Sequence, residues 1–133
     1  MPRTVLLHHT LPDGSSHFDW LLARDGDEAG TGAGPVITFR VPERIDLSPP
    51  GTPVLVDRLL DHRPLYLSYE GPIRGGRGAV ERIAEGHCRV LVEGSDRVEF
   101  EVDFGSGPRL WTCVQQEEDE PGQVIRRWRL EAA

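Results

Sequence analysis

The chain has 133 residues, 38% hydrophobic content and a formal net charge of −7. That is one domain's length with a single buried core, and it is too acidic to wrap a phosphate backbone by bulk electrostatics. All 15 basic residues are arginine, which excludes Schiff-base and lysyl-nucleotide chemistry and leaves any nucleic acid to be gripped locally by planar guanidinium groups.

Along the chain the apolar runs are short and bounded by turn residues, and glycine and proline are spread throughout. This pattern predicts an all-β fold, a small closed or partly open barrel with long loops, formed by residues 1–133 as a single domain. The expected strands are Thr4–His9, Ser16–Arg24, Val36–Val41, Val54–Arg58, Ala79–Ile83, His87–Glu93, Arg97–Phe104, Arg109–Gln115 and Val124–Leu130. Leu11–Ser15 reads as a turn, which makes the first two strands an antiparallel pair. Arg24–Gly34 reads as an acidic, glycine-rich loop, Leu47–Pro53 as a stiff connector and Glu117–Gly122 as a solvated loop. A short helix would fit at Ile45–Leu47 or near Leu59. Cys88 and Cys113 have no CxxC spacing and are expected as reduced thiols. No stretch approaches the roughly 18 apolar residues of a membrane span. Residues 1–10 hold only a short apolar run broken by two histidines, so a cytoplasmic chain without a membrane partner is expected.

Two clusters carry candidate chemistry. In Ser16–Leu21, strand alternation puts His17 and Asp19 on one face, expected to be the concave one, and Phe18 and Trp20 on the other, fit for a core. His9 faces His17 across the turn, giving two nitrogen donors and one oxygen donor, a set that suits Mn²⁺, Fe²⁺ or Zn²⁺ with positions left open. His8 should face the opposite side, and His87 should be an ordinary surface residue. Solvated or hydrogen-bonded polar residues on strands are the plainer reading of the same pattern. The second cluster is Asp61–Gly71. Pro64 argues against a helix interior, and an extended path would put His62 and Tyr66 on one side, where both can donate to an anionic oxygen.

Together these residues resemble the 3′-phosphoesterase domain of bacterial DNA ligase D. The motifs run in the family's order from residue 4 to about residue 115: Val5-Leu6-Leu7-His8-His9, His17-Phe18-Asp19-Trp20, Phe39-Arg40-Val41-Pro42, Asp61-His62-Arg63-Pro64-Leu65-Tyr66 through Gly71-Pro72-Ile73, and Gly76-Arg77-Gly78-Ala79-Val80. The resemblance implies a β barrel with a divalent metal, Mn²⁺ or Zn²⁺, on His9, His17 and Asp19. It also implies that His62 and Tyr66 hold the substrate phosphate and take part in catalysis, with nucleic-acid 3′ ends and other end-joining repair proteins as partners. The chain departs from the family at Leu21, where the family has a phosphate-binding arginine, at Leu7 for a glutamine and at Glu43 for a lysine. Arg40 is the first candidate for the missing clamp, followed by Arg63 and Arg77.

Three functions remain open on the residues: a metal-dependent phosphoesterase acting in DNA repair, a catalytically weak module that binds metal and phosphate within a repair complex, and a structural barrel with an unrelated role.

Overall fold

Val98, Phe100 and Val102 are buried while the intervening Glu99 and Glu101 stay partly solvated, so this strand has one apolar face and one wet face. Its neighbours repeat the arrangement, and the apolar faces close on one another. The computed structural model describes residues 2–24, 35–116 and 126–133. The strands are β1 (Arg3–Thr10), β2 (Ser16–Leu22), β3 (Ile37–Val41), β4 (Val54–Arg58), β5 (Gly71–Pro72), β6 (Ala79–Glu93), β7 (Arg97–Asp103), β8 (Pro108–Gln115) and β9 (Arg126–Ala132). They form one antiparallel sheet in the order β1-β2-β3-β4-β9-β8-β7-β6-β5, and pairing of β1 with β6 closes eight of them into a ring. The ring is uneven: β3 and β4 share only the pairs Phe39–Arg58 and Arg40–Asp57, and β5 lies outside it, paired to β6.

The all-β expectation holds, with differences in two of the elements. Ala79–Ile83 and His87–Glu93 are one strand. It pairs with β1 along its first half and with β7 along its second, and it continues through Gly86 because a Cβ there would meet the Asp103 carbonyl oxygen at 2.0 Å. Ile45–Leu47 is a 3₁₀ turn, as the sequence allowed, and Pro64–Leu67 is a second one. The loop expected at Arg24–Gly34, beyond its first residue, and the one at Glu117–Gly122 lie outside the described residues, as do the first two residues of the strand expected at Val124–Leu130. Among the described residues no helix is long and apolar enough to cross a membrane.

Two apolar clusters hold the fold. The larger fills the ring and draws on every ring strand, with Trp20 edge-on to Phe100 and Trp111, both at 5.2 Å between ring centroids. The Trp20 indole N–H donates to Thr4 Oγ1 at 2.8 Å, and that hydroxyl donates to the Leu21 carbonyl at 2.8 Å, so both of these polar groups are satisfied. The smaller cluster lies outside the ring. There Val5, Leu7 and Leu21 pack beneath Leu67, with Tyr66, Tyr69 and Ile73 against them. Strands β1 and β2 are therefore covered on both faces, which is why Val5-Leu6-Leu7 is a continuous apolar run.

Candidate metal centre

The β1–β2 hairpin sets the geometry. Its turn is held by Asp13, whose Oδ1 accepts from Ser15 N at 2.9 Å and Ser15 Oγ at 2.6 Å, bonds that keep this exposed carboxyl below the usual carboxylate range. Gly14 supplies the φ of +88° that closes the turn. The resulting register sets His9 opposite His17 and Leu7 opposite Asp19. Position 19 therefore lies on the same face as both histidines.

That face is the outer one. His17 and Asp19 alternate with Phe18 and Trp20, which belong to the ring interior, and lie in line with Leu21 of the outer cluster. The expectation of a concave site is thereby corrected: the ring is filled by aromatic side chains, and the polar face of β2 is covered by the chain segment around residues 61–78 instead. His8 points the other way, with its ring 5.2 Å from Phe18, and His87 is exposed.

The three expected donors come together. His9 Nδ1 lies 3.1 Å from Asp19 Oδ2 and His17 Nε2 lies 3.1 Å from Asp19 Oδ1. One ligand atom from each residue falls within 4.8 Å of the others. Asp19 is only 4% exposed. His9 Nε2 is 2.7 Å from the Arg77 carbonyl oxygen, which can only accept, so Nε2 carries a hydrogen. In the neutral ring Nδ1 then presents a lone pair to a carboxylate oxygen, and two acceptors meet unless a second proton or a cation lies between them. On the other side, His17 Nε2 and Asp19 Oδ1 are buried and, despite their closeness, are not aligned for a hydrogen bond. Buried polar atoms without partners are costly. A shared cation with ligands at about 2.0–2.2 Å would satisfy all of them. The Arg77 carbonyl would then be the outer partner that ligating histidines ordinarily have.

The carbonyl reaches His9 because the chain crosses the hairpin end very closely. Gly78 has φ +90°, and a Cβ there would lie 1.9 Å from the Thr10 carbonyl oxygen. Gly-Gly-Arg-Gly at 75–78 was the available sequence signal, although a backbone acceptor cannot be read from residue types.

Beside the donors is a cleft of about 360 Å³ lined by His9, Asp19, His62, Arg63, Tyr66 and Arg77, among others. His62 and Tyr66 meet edge-on at 5.8 Å between ring centroids, but along a different path from the expected extended one. Pro64 starts a 3₁₀ turn, where its missing N–H would have no partner anyway and its fixed φ suits the first turn. His62 is pinned by backbone hydrogen bonds to Val36 in both directions and by its Nδ1 donating to the Leu60 carbonyl at 3.0 Å. Its neighbour Asp61 accepts from Arg24 Nη2 at 2.8 Å, and Arg24 also donates to both carboxylate oxygens of Glu93. The bond from Arg24 lowers the Glu93 pKa, and the bond to Glu93 raises that of Arg24.

Arg40 is not among the residues lining this cleft. It is Asp19's partner across the sheet and lines a separate groove on the His17 side, while Arg63 and Arg77 bring cationic side chains to the cleft. Leu21 and Leu7, where the resembling family carries polar residues, are fully buried or nearly so in the outer cluster. Comparison with protein-family models and with curated proteins finds no match to the chain.

Proposed function

We propose that the chain is a divalent-metal-dependent phosphoesterase acting in the cytoplasm on nucleic-acid 3′ ends, removing a 3′-phosphate or 3′-ribonucleotide in DNA repair. The observation that carries this reading is the convergence of His9, His17 and Asp19, with His17 Nε2 and Asp19 Oδ1 buried and without hydrogen-bond partners, beside a cleft with two arginines. Its residue types suit Mn²⁺ or Zn²⁺ with positions left open. A bound ion would supply Lewis acidity and an activated water. Arg63 and Arg77 hold the anionic oxygens by charge-assisted hydrogen bonds. Tyr66 donates its phenolic hydrogen to a phosphate oxygen, and His62 in its imidazolium form, with Nδ1–H kept on the Leu60 carbonyl, gives its Nε2 proton to the departing oxygen.

A second reading, a metal- and phosphate-binding module with little turnover that serves other end-joining proteins, is favoured by two features. Leu21 fills the place of the family's arginine, and Asp61 adds a carboxylate to the cleft lining. Release of inorganic phosphate from a 3′-phosphorylated primer–template separates the two. Metal-dependent release by the parent, abolished by chelation and by His17→Ala, supports the enzyme. Phosphate binding without release supports the module.

A further inference from the structure

Strand register places four charged residues side by side across the outer face. Asp19 on β2 pairs with Arg40 on β3, Arg40 with Asp57 on β4, and Asp57 with Arg127 on β9. Adjacent strands lie about 4.8 Å apart, so Arg40 stands one strand and Arg127 three strands from the carboxylate of the metal site. A groove of about 390 Å³ runs along this row, lined by Ser16, His17, Arg40, Leu55, Asp57 and Arg127, among others. The two depressions flank the same donor cluster: His9 and Asp19 line the first, and His17 lines the second. Although it sits between two carboxylates in register, Arg40 keeps its Nε buried and without a hydrogen-bond partner. A buried guanidinium N–H without a protein partner is costly, and a bound anion at the groove could supply that partner.

We infer that this groove is a second anion subsite, which takes an internal phosphodiester of a single-stranded nucleic acid whose terminal phosphate lies in the first cleft. The inference rests on the proposed reading of the metal site. A strand crossing the donor cluster meets Arg63 and Arg77 on one side and Arg40 and Arg127 on the other. The alternation of signs adds a condition. With Asp19 uncompensated, the row Asp19, Arg40, Asp57, Arg127 sums to zero and attracts no polyanion. A divalent cation on Asp19 leaves the two arginines against Asp57 alone. Groove binding is therefore coupled to metal loading, and the groove acts on a chain of phosphates rather than on a single one.

The test uses Mn²⁺-loaded protein and two probes: inorganic phosphate, and a labelled single-stranded oligodeoxynucleotide ending in a 3′-phosphorothioate that resists hydrolysis. Arg40→Gln and Arg127→Gln are compared with the parent, with unfolding curves to confirm that each variant is folded. Each variant should bind the oligonucleotide about fivefold more weakly at about 0.1 M salt, and the slope of log affinity against log salt should flatten by about 0.7 for each arginine removed. Affinities for inorganic phosphate and for Mn²⁺ should not change. Unchanged oligonucleotide affinity in Arg127→Gln, the exposed position, would overturn the subsite whatever Arg40→Gln does. An equal loss for both probes would move Arg40 into the first cleft and overturn it as well, as would a parent that binds phosphate but no oligonucleotide. Arginine-dependent oligonucleotide binding without phosphate release from a 3′-phosphate end would count against the enzyme and leave the subsite standing.

Discussion

His9 donates from Nε2 to the Arg77 carbonyl at 2.7 Å and turns Nδ1 toward Asp19 at 3.1 Å. The hydrogen bond to a main-chain oxygen decides which nitrogen is offered to a cation, and that oxygen is held in place by Gly78. Gly78→Ala should therefore weaken Mn²⁺ binding about 10–100-fold by displacing the outer partner of a ligand. It should also cost about 1–3 kcal/mol of stability through backbone strain and the Thr10 contact. Arg77→Gln, which keeps the carbonyl, should leave metal affinity near the parent's. Titration calorimetry and thermal unfolding check both, and parental metal affinity in Gly78→Ala would remove the carbonyl from the account.

Asp19→Asn separates metal binding from folding. The amide nitrogen, in the Oδ2 position, can donate to the lone pair of His9 Nδ1 and remove one acceptor–acceptor contact, so the metal-free protein should be as stable as the parent or more stable by about 1 kcal/mol. Metal content should fall sharply, as it should in His17→Ala. Elemental analysis after dialysis, together with denaturant unfolding in chelator, measures the two effects. Strong destabilisation of metal-free Asp19→Asn would show that the carboxylate already has its partners without a cation.

Restoring the resembling family's arginine by Leu21→Arg should fail. Leu21 is fully buried in the outer apolar cluster, and a guanidinium there would be desolvated among Val5, Leu7 and Leu67. The expected loss is about 3 kcal/mol or more. A well-folded variant with raised phosphate affinity would mean that the cluster opens easily toward the cleft.

Glu93 gives the acid limb of stability. Its hydrogen bond from Arg24 lowers its pKa in the folded state below the ordinary value of 4.5. The associated stability is fully present above that value and is lost as pH falls through the folded-state pKa. The pair is partly exposed, so the contribution should be about 1 kcal/mol or less. Glu93→Gln should be slightly less stable at neutral pH and should show a shallower decline below about pH 4.5. An identical acid profile in parent and variant would exclude the pair as its source.

Burial raises the Cys113 thiol to about 12. At neutral pH it is protonated and enclosed, so alkylation of the native protein at this residue should be slow and should accelerate on unfolding. Mass spectrometry after brief iodoacetamide treatment reads this directly. Rapid native modification would indicate frequent opening of the ring between β7 and β9.

Much of this was legible in the residues. The alternation in Arg97–Asp103 and the hairpin signal at Leu11–Ser15 depend only on local periodicity and turn chemistry, and both appear as expected. The same periodicity placed His17 and Asp19 together and Phe18 and Trp20 on the core face, but could not say what covers the polar face. That depends on where residues 61–78 lie, a long-range fact. The place of Arg40 depends on the β2–β3 register, a pairing between strands that local periodicity does not fix. Pro64 argued against a helix interior yet suits the first turn of a 3₁₀ segment. The Arg77 carbonyl has no signature in residue type at all.

The segment over the outer face rests on a smaller apolar cluster than the one that fills the ring. Local opening free energies follow buried contacts, so residues 61–78 should detach before the ring does. The two halves of the site would then differ in lifetime. The carboxylate and imidazoles, carried by a hairpin tied into the ring, would persist under mild denaturant, while the anion-holding wall dissolves. Amide protons of β1 and β2 should then exchange late and those of residues 62–69 early.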